Sequence, residues 1–405
     1  MAQLFAEERN IRTPRDDFRS CLLNAALQFY YRPDATHGYL LAGYPWFGVR
    51  ARDLFIALHG CTIYADAPER FYRIMDTVLP DMRAFMRQEG ISKEIRNINE
   101  GDIGLWAIWT LQEYARWSSL PDMVSRYGDF LDELIHYYLR NVHPNLRIDD
   151  NGLCVMTGDG RPLSWMDAKV NGQAVVRREG YLVEVNALWY NALCFYREAL
   201  PQKWTPELEE LLGRVQQSFC DTFINQHGYL FDYVHPHSSW RDWSVRPNMV
   251  FATSLPYSPL PKATRRSVRE IITRELRTPK GLRSLSPKSD GYQPQCHGTQ
   301  WQREQSYYNG SVWPWLLGPY FEACIKLYGR SAISFIENTL IGMEEELQQH
   351  GVGTVSELFD GNPPFKGRGA ISFAMSVGEL LRSLALLEEA KSKYDTQILP
   401  IIRYE

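Results

Sequence analysis

Apolar residues recur along this chain at helical spacing almost from end to end. From Pro121 to Val142, Val124, Tyr127, Leu131, Leu134 and Tyr138 form one stripe at three–four spacing, with Phe130, Ile135 and Leu139 adjoining it. Pro121 suits a first helical turn, and Asp122 complements the helix dipole. The pattern returns between Gly369 and Lys393 through Phe373, Val377, Leu380, Leu381, Leu384 and Leu387. Comparable stretches predict helices over 15–31, 51–65, 68–88, 101–117, 185–199, 205–225, 247–254, 262–277, 308–328 and 331–349. Strand-like material is sparse and sits near 145–185 and 228–245.

The helices alternate in character. Segments 185–199 and 308–328 are apolar on most sides, whereas 205–225 carries Glu207, Glu209, Glu210 and Arg214. The first kind belongs inside and the second at a surface. Six inner and six outer helices in alternation predict an all-α fold, a double-layered (α/α)6 barrel, although an α-solenoid with weak repeats shares the same periodicity. No Pro/Gly/Ser linker or charge block divides the chain, so a single domain over 1–405 is expected. The connections Asn141 to Glu184 and Thr278 to Ser306 are too long for simple turns and are rich in Gly, Asp, Trp and Arg. Loops of that length are commonly functional, and a barrel would gather them at one mouth.

Composition narrows the partners. A chain of 405 residues with 44% hydrophobic content can bury a large core, and its net charge of −4 argues against nucleic acid or an anionic membrane. The seven cysteines, at 21, 61, 154, 194, 220, 296 and 324, include no Cys-x-x-Cys pair. Such a scattered, odd set fits reduced thiols in a cytoplasmic protein. His235-Pro-His237 lacks zinc-site spacing, so no metal is expected. Met1–Asn10 has no apolar run for a signal peptide. The greasiest stretch, Trp313 to Leu327, is broken by Pro314, Pro319 and charges, so no membrane span is expected. The 12 tryptophans call for an unusually aromatic core or a surface that stacks on flat ligands.

Chemistry concentrates in Leu163-Ser-Trp-Met-Asp-Ala-Lys-Val170 and Val183-Glu-Val-Asn-Ala-Leu-Trp-Tyr-Asn-Ala-Leu193. Carboxylates among indole rings are suited to sugars: acids bond hydroxyls, and flat rings cover the apolar face of a pyranose. A bland alternative makes the second segment a buried helix with Leu188 and Trp189 as core. The acidic loop Thr354-Val-Ser-Glu-Leu-Phe-Asp-Gly361 favours the sugar reading.

These two segments resemble the amylo-α-1,6-glucosidase module of glycogen debranching enzymes. Further matching stretches follow in the same order: Ala42-Gly-Tyr-Pro-Trp-Phe47 leading into Arg52-Asp53, Asp102 with Leu105-Trp106, and Glu275 to Ser286. Ser311-Val-Trp-Pro-Trp-Leu-Leu-Gly-Pro-Tyr320 and Ser356-Glu-Leu-Phe-Asp-Gly361 complete the set, so the likeness runs from about 40 to 390. The resemblance implies an (α/α)6 barrel that hydrolyses α-1,6-linked glucose at branch points with inversion and without a cofactor. It implies Asp167 as general acid and Glu357 as general base. Trp165 and Met166 would desolvate Asp167 and suit it to the acid role. Arg52 and Asp53 resemble a pair that bonds the cleaved sugar, with a mutual ion pair as the structural alternative. Trp165, Lys169, Glu184, Asn186, Trp189 and Arg303 are the remaining candidate substrate contacts. Because Trp313 and Trp315 stand two apart on a predicted helix, they are expected to face different ways. The expected partner is an α-glucan or oligosaccharide, with a separate substrate-binding or glucanotransferase chain as a possible companion.

The match is uneven in four places. Arg50-Ala51 stand where the family generally carries Trp-Gly, and Arg303-Glu304 with Tyr307-Tyr308-Asn309-Gly310 replace Arg-Asp and Tyr-His-Gln-Gly. Phe373-Ala374-Met375-Ser376 replaces Gln-Ala-Trp-Ser, and Tyr181 stands for a common lysine. Such exchanges alter stacking and hydrogen bonding in a pocket while leaving the two acids.

Overall fold

The computed structural model describes residues 16–395, so the expectations for Met1–Asn10 lie outside the described residues. Thirteen α-helices are described: α1 (Phe18–Phe29), α2 (Ala51–Cys61), α3 (Pro68–Met86), α4 (Ile103–Trp117), α5 (Leu120–Leu139), α6 (Val183–Ala199) and α7 (Pro206–Phe223). They continue with α8 (Phe251–Ser254), α9 (Lys262–Glu275), α10 (Gln300–Tyr307), α11 (Leu317–Tyr328), α12 (Ile333–Met343) and α13 (Ala374–Asp395).

The apolar pattern explains which helices lie inside. Every residue of α2 is buried, as are the first fourteen of α6. By contrast, α7 buries only Leu208, Leu211, Leu212, Val215, Phe219 and Phe223, a single stripe at helical spacing. Local chemistry sets the outer starts: Ser119 caps α5 by accepting from the Asp122 N–H, Thr205 caps α7, and Pro121 and Pro206 occupy first turns. Successive inner helices pack on one another in the order α2, α4, α6, α8, α11 and α13, and α13 returns to pack on α2. That last contact is close because glycine meets glycine. A Cβ on Gly60 of α2 would collide with the Gly378 carbonyl of α13.

Two stretches predicted as helix run through strand near their starts, and two others, 15–31 and 262–277, end in strand. Val312–Trp313 forms β3 of a five-stranded antiparallel sheet, β1 (Arg277–Thr278), β2 (Gly281–Arg283), β3, β4 (Leu358–Phe359) and β5 (Gly367–Arg368), in that spatial order. Only beyond Pro314 does the chain turn helical. Ser372–Phe373 likewise pairs with Gly43–Tyr44 before α13 begins. Each strand is only two residues long and runs straight into a helix, so it mimics one more helical turn in the sequence. The physical consequence is that Trp313 and Trp315 do not share an α-helix. Both are buried, and both meet the Trp165 ring edge-on, at 5.3 and 5.2 Å. Among the described residues, no helix is long and apolar enough to cross a membrane.

Candidate active site

The start of α2, the segment carrying Asp167, the stretch from Tyr308 to Trp313, the loop before β4 and the start of α13 converge on one small cavity of about 20 Å³. Asp167 and Glu357 both line it, together with Arg52, Asp53 and Trp165. Two carboxylates separated by 190 positions in sequence therefore share a cavity. Beyond it opens a cleft of about 1220 Å³, which takes in Asp167, Lys169 and Arg303.

Glu357 is held by backbone. Its N–H donates to the Ala370 carbonyl at 2.9 Å, and its Oε2 accepts from the Ala370 N–H at 2.8 Å. Gly369 makes this possible: its φ is +66°, and a Cβ there would run into the Glu357 carboxylate. Tyr307 donates to the other oxygen, Oε1. Glu357 is 2% exposed, and burial pushes its pKa up to about 7 against the lowering effect of these two hydrogen bonds.

Asp167 has different neighbours from those expected. Trp165 turns its Nε1–H to Asn248 Oδ1 at 2.7 Å, and Met166 Sδ also lies against Asn248. The group on Asp167 Oδ2 is the Arg50 guanidinium, while Tyr308 donates to Oδ1 at 2.9 Å. Both oxygens thus accept hydrogen bonds, the arrangement of a carboxylate rather than of a proton donor. Arg50 also lies 3.5 Å from Asp53, and these two acids, Asp167 foremost, hold its guanidinium charged.

Arg52 and Asp53 do not pair with each other by hydrogen bond. Arg52 binds Asp102 through two bonds of 2.8 Å and also contacts Glu100, and Asp102 accepts in addition from Trp106 Nε1. Asp53 is left facing the cavity beside Arg50, with its pKa raised by burial.

Three candidate contacts lie elsewhere, each engaged in packing. Glu184 pairs with Arg178 through bonds of 2.5 and 2.6 Å, and Arg178 also binds Asp232 at 2.6 Å. Asn186 ties Cys154 by its N–H and its carbonyl, and Trp189, fully buried, donates to the Gly152 carbonyl at 3.1 Å. None of the three lines either cavity. All three sit on the all-buried face of α6, where a polar group persists only when its partners are satisfied. Removing one member of such a buried pair costs about 3–5 kcal/mol. Glu184→Gln is therefore expected to show in chemical denaturation as a stability loss of that order while KM stays put.

Sequence reasoning did not nominate Arg50, Tyr307, Tyr308, Phe373 or Met375, all of which line one or other cavity. Arg50, Tyr308, Phe373 and Met375 each fall at a departure from the family pattern, which is the signal that points to them, whereas Tyr307 keeps the family's tyrosine. Tyr308 also stacks flat on Trp313, ring centroids 5.1 Å apart, which fixes its hydroxyl over Asp167. Arg303 sits on α10, a short helix inside a connection read as loop, and bonds the Gly298 carbonyl at 2.6 Å. Among the described residues, no group of three His, Cys, Asp or Glu side chains could hold a metal ion.

Two carboxylates at the head of a cleft are the groups that glycoside hydrolysis requires. The chain belongs to the amylo-alpha-1,6-glucosidase family, whose model matches residues 24–382. Among curated proteins no match is significant. Similar solved structures include a GH63 mannosylglycerate hydrolase from Thermus thermophilus, with TM-score 0.62 and 13% identity over 90% of this chain and 99% of that one. A wild-type glycosidase matches with TM-score 0.56 and 13% identity over 92% and 97% of the two chains. At these identities the likeness concerns the fold alone.

Proposed function

We propose that this chain is an inverting (α/α)6-barrel α-glucosidase that removes α-1,6-linked glucose from branch points of glycogen or a related α-glucan. Asp167 protonates the departing glycosidic oxygen, and ionised Glu357 deprotonates the water that attacks the opposite face. The observation that carries this reading is the shared cavity of Asp167 and Glu357 in a chain of this family. Arg52 and Asp53 line the same cavity and hold the cleaved sugar, while Lys169 and Arg303 face the cleft where the rest of the substrate lies. The cysteine spacing supports action in the cytoplasm. A companion chain would supply the substrate-binding or glucanotransferase function that accompanies this activity in debranching enzymes.

A second reading, hydrolysis of a different small α-glycoside, is favoured by one observation. Arg50, Tyr308, Phe373 and Met375, all at departures from the family pattern, line the cavity itself. The deciding experiment is glucose release from a dextrin carrying single α-1,6-linked glucosyl stubs, with the product anomer followed by NMR. Release of β-glucose supports the first reading, release of α-glucose refutes inversion, and no glucose from dextrin but turnover of a small α-glycoside supports the second.

A further inference from the structure

Arg50 and Asp167 are the two residues common to the small cavity and the large cleft. Their ion pair is thus the partition between the two spaces, and Glu357 lies on its inner side. A cavity of about 20 Å³ has room for a water molecule rather than a sugar ring, so a substrate must displace this partition. Arg50 is the mobile half by its chemistry: a long side chain reaching into the cleft from the residue before α2, opposite an acid on a shorter stem. Pulling a guanidinium off a carboxylate in a poorly solvated site is costly unless another anion receives it.

The cleft is built to supply such a setting. Six cations line it, Arg50, Arg96, Lys169, Arg303, Lys366 and Arg368, against three acids, Glu100, Asp167 and Glu304. The balance is reversed from that of the whole chain, whose net charge is −4. Arg368 is neutralised by Asp360 at 2.9 Å. Arg96, Lys169, Arg303 and Lys366 are exposed and make no salt bridge among the described residues, whose ion pairs are otherwise numerous. Arg96 is anchored beside Arg50 by backbone, its carbonyl accepting from the Ala51 N–H at 2.9 Å. Like charges gathered around a concave wall raise the local concentration of anions. A cleft for neutral glucan needs none of this.

We infer that the cleft receives a saccharide whose leaving-group side carries an anionic substituent, and that Arg50 exchanges Asp167 for that substituent as the substrate enters. The inference rests on the cleft being the substrate site of the glycosidase proposed above, and it narrows that substrate from a neutral glucan to an α-glucoside bearing an acidic group. The exchange moves no covalent bond. It transfers the guanidinium from one anion to another, joins the cavity to the cleft, and frees Asp167 Oδ2 to take up the proton that the acid role requires. Recognition of the anion and arming of the acid become one event, which penalises neutral acceptors.

The test uses two arms. In the first, the full-length wild-type protein is titrated calorimetrically with D-gluconate, D-glucose 6-phosphate and neutral D-glucitol. At least one anion, whether carboxylate or phosphate ester, is expected to bind about tenfold or more tighter than glucitol, the size of one charge-assisted hydrogen bond. That preference should shrink as salt is raised, disappear in Arg50→Gln, and weaken in Arg303→Gln, an exposed change that leaves the fold alone. Equal affinity for anionic and neutral ligands, or a preference untouched in both variants, overturns the inference. In the second arm, α-1,6-glucosyl gluconate is compared with α-1,6-glucosyl glucitol as substrates, which differ only in the charged group. Faster hydrolysis of the gluconate supports the inference. Equal hydrolysis of both refutes it while leaving the glucosidase reading intact. Anion binding without hydrolysis of either substrate upholds the inference and removes the α-1,6-glucosidase reading.

Discussion

Glu357→Gln is expected to reduce hydrolytic turnover by roughly 10²–10⁴-fold, the usual contribution of a positioned base. Glutamine keeps the volume and can still accept from the Ala370 N–H, while the Tyr307 hydroxyl can rotate to accept rather than donate. The loss should therefore appear in kcat with little change in the fold. The pH dependence is more diagnostic than the size. Burial lifts Glu357 from an ordinary 4.5 to about 7, and a base must be ionised, so wild-type turnover should fall as pH drops through about 7. Stability should run the other way. A carboxyl whose folded pKa lies above its unfolded value contributes stability that is full below about 4.5 and is lost as pH rises through about 7. Ionising this buried group consequently costs a few kcal/mol at pH 8. Thermal denaturation should find Glu357→Gln more stable than wild type at pH 8 and level with it near pH 4. A variant equally inactive but no more stable at pH 8 would show that Glu357 is not a buried carboxyl of raised pKa.

Much of this layout was legible in the chain because burial writes itself into periodicity. The predicted helices 51–65 and 101–117 correspond to α2 and α4, the mostly apolar 185–199 to the buried α6, and the amphipathic 205–225 to α7. The alternation of the two kinds carries the inner and outer layers. Strand β3 was not legible, because two residues of strand ahead of Pro314 leave no period to count. Nor was the role of α6: Glu184, Asn186 and Trp189 look like site chemistry in sequence, yet they satisfy one another's surroundings through Arg178, Cys154 and Gly152. Polar residues in an apolar helix signal either a ligand or a buried network, and only partner geometry separates them. Arg50 shows the converse. In sequence a single arginine ahead of α2 marks only a departure from the family pattern, and its importance follows from the carboxylate that folding brings opposite it.

Arg50 also governs the second large effect. Asp167→Asn should cost roughly 10²–10⁴-fold on α-glucosides with an alcohol leaving group, which must be protonated as it departs. α-Glucosyl fluoride needs no such proton, so the same variant should retain most of its turnover on the fluoride. Glu357→Gln should lose both substrates alike, because each still requires an activated water. The contrast is decisive here because the resting geometry leans against the proposed roles: Asp167 accepts from both Arg50 and Tyr308, while burial favours the protonated form of Glu357. If the pair works as it rests, the pattern inverts, with Glu357→Gln sparing the fluoride and Asp167→Asn losing it. If substrate first draws Arg50 away, Asp167 can protonate, its former partner can no longer hold a negative charge in place, and the fluoride rescue belongs to Asp167→Asn. Rates for the two variants on the two substrates therefore distinguish a site that is assembled at rest from one completed by its substrate.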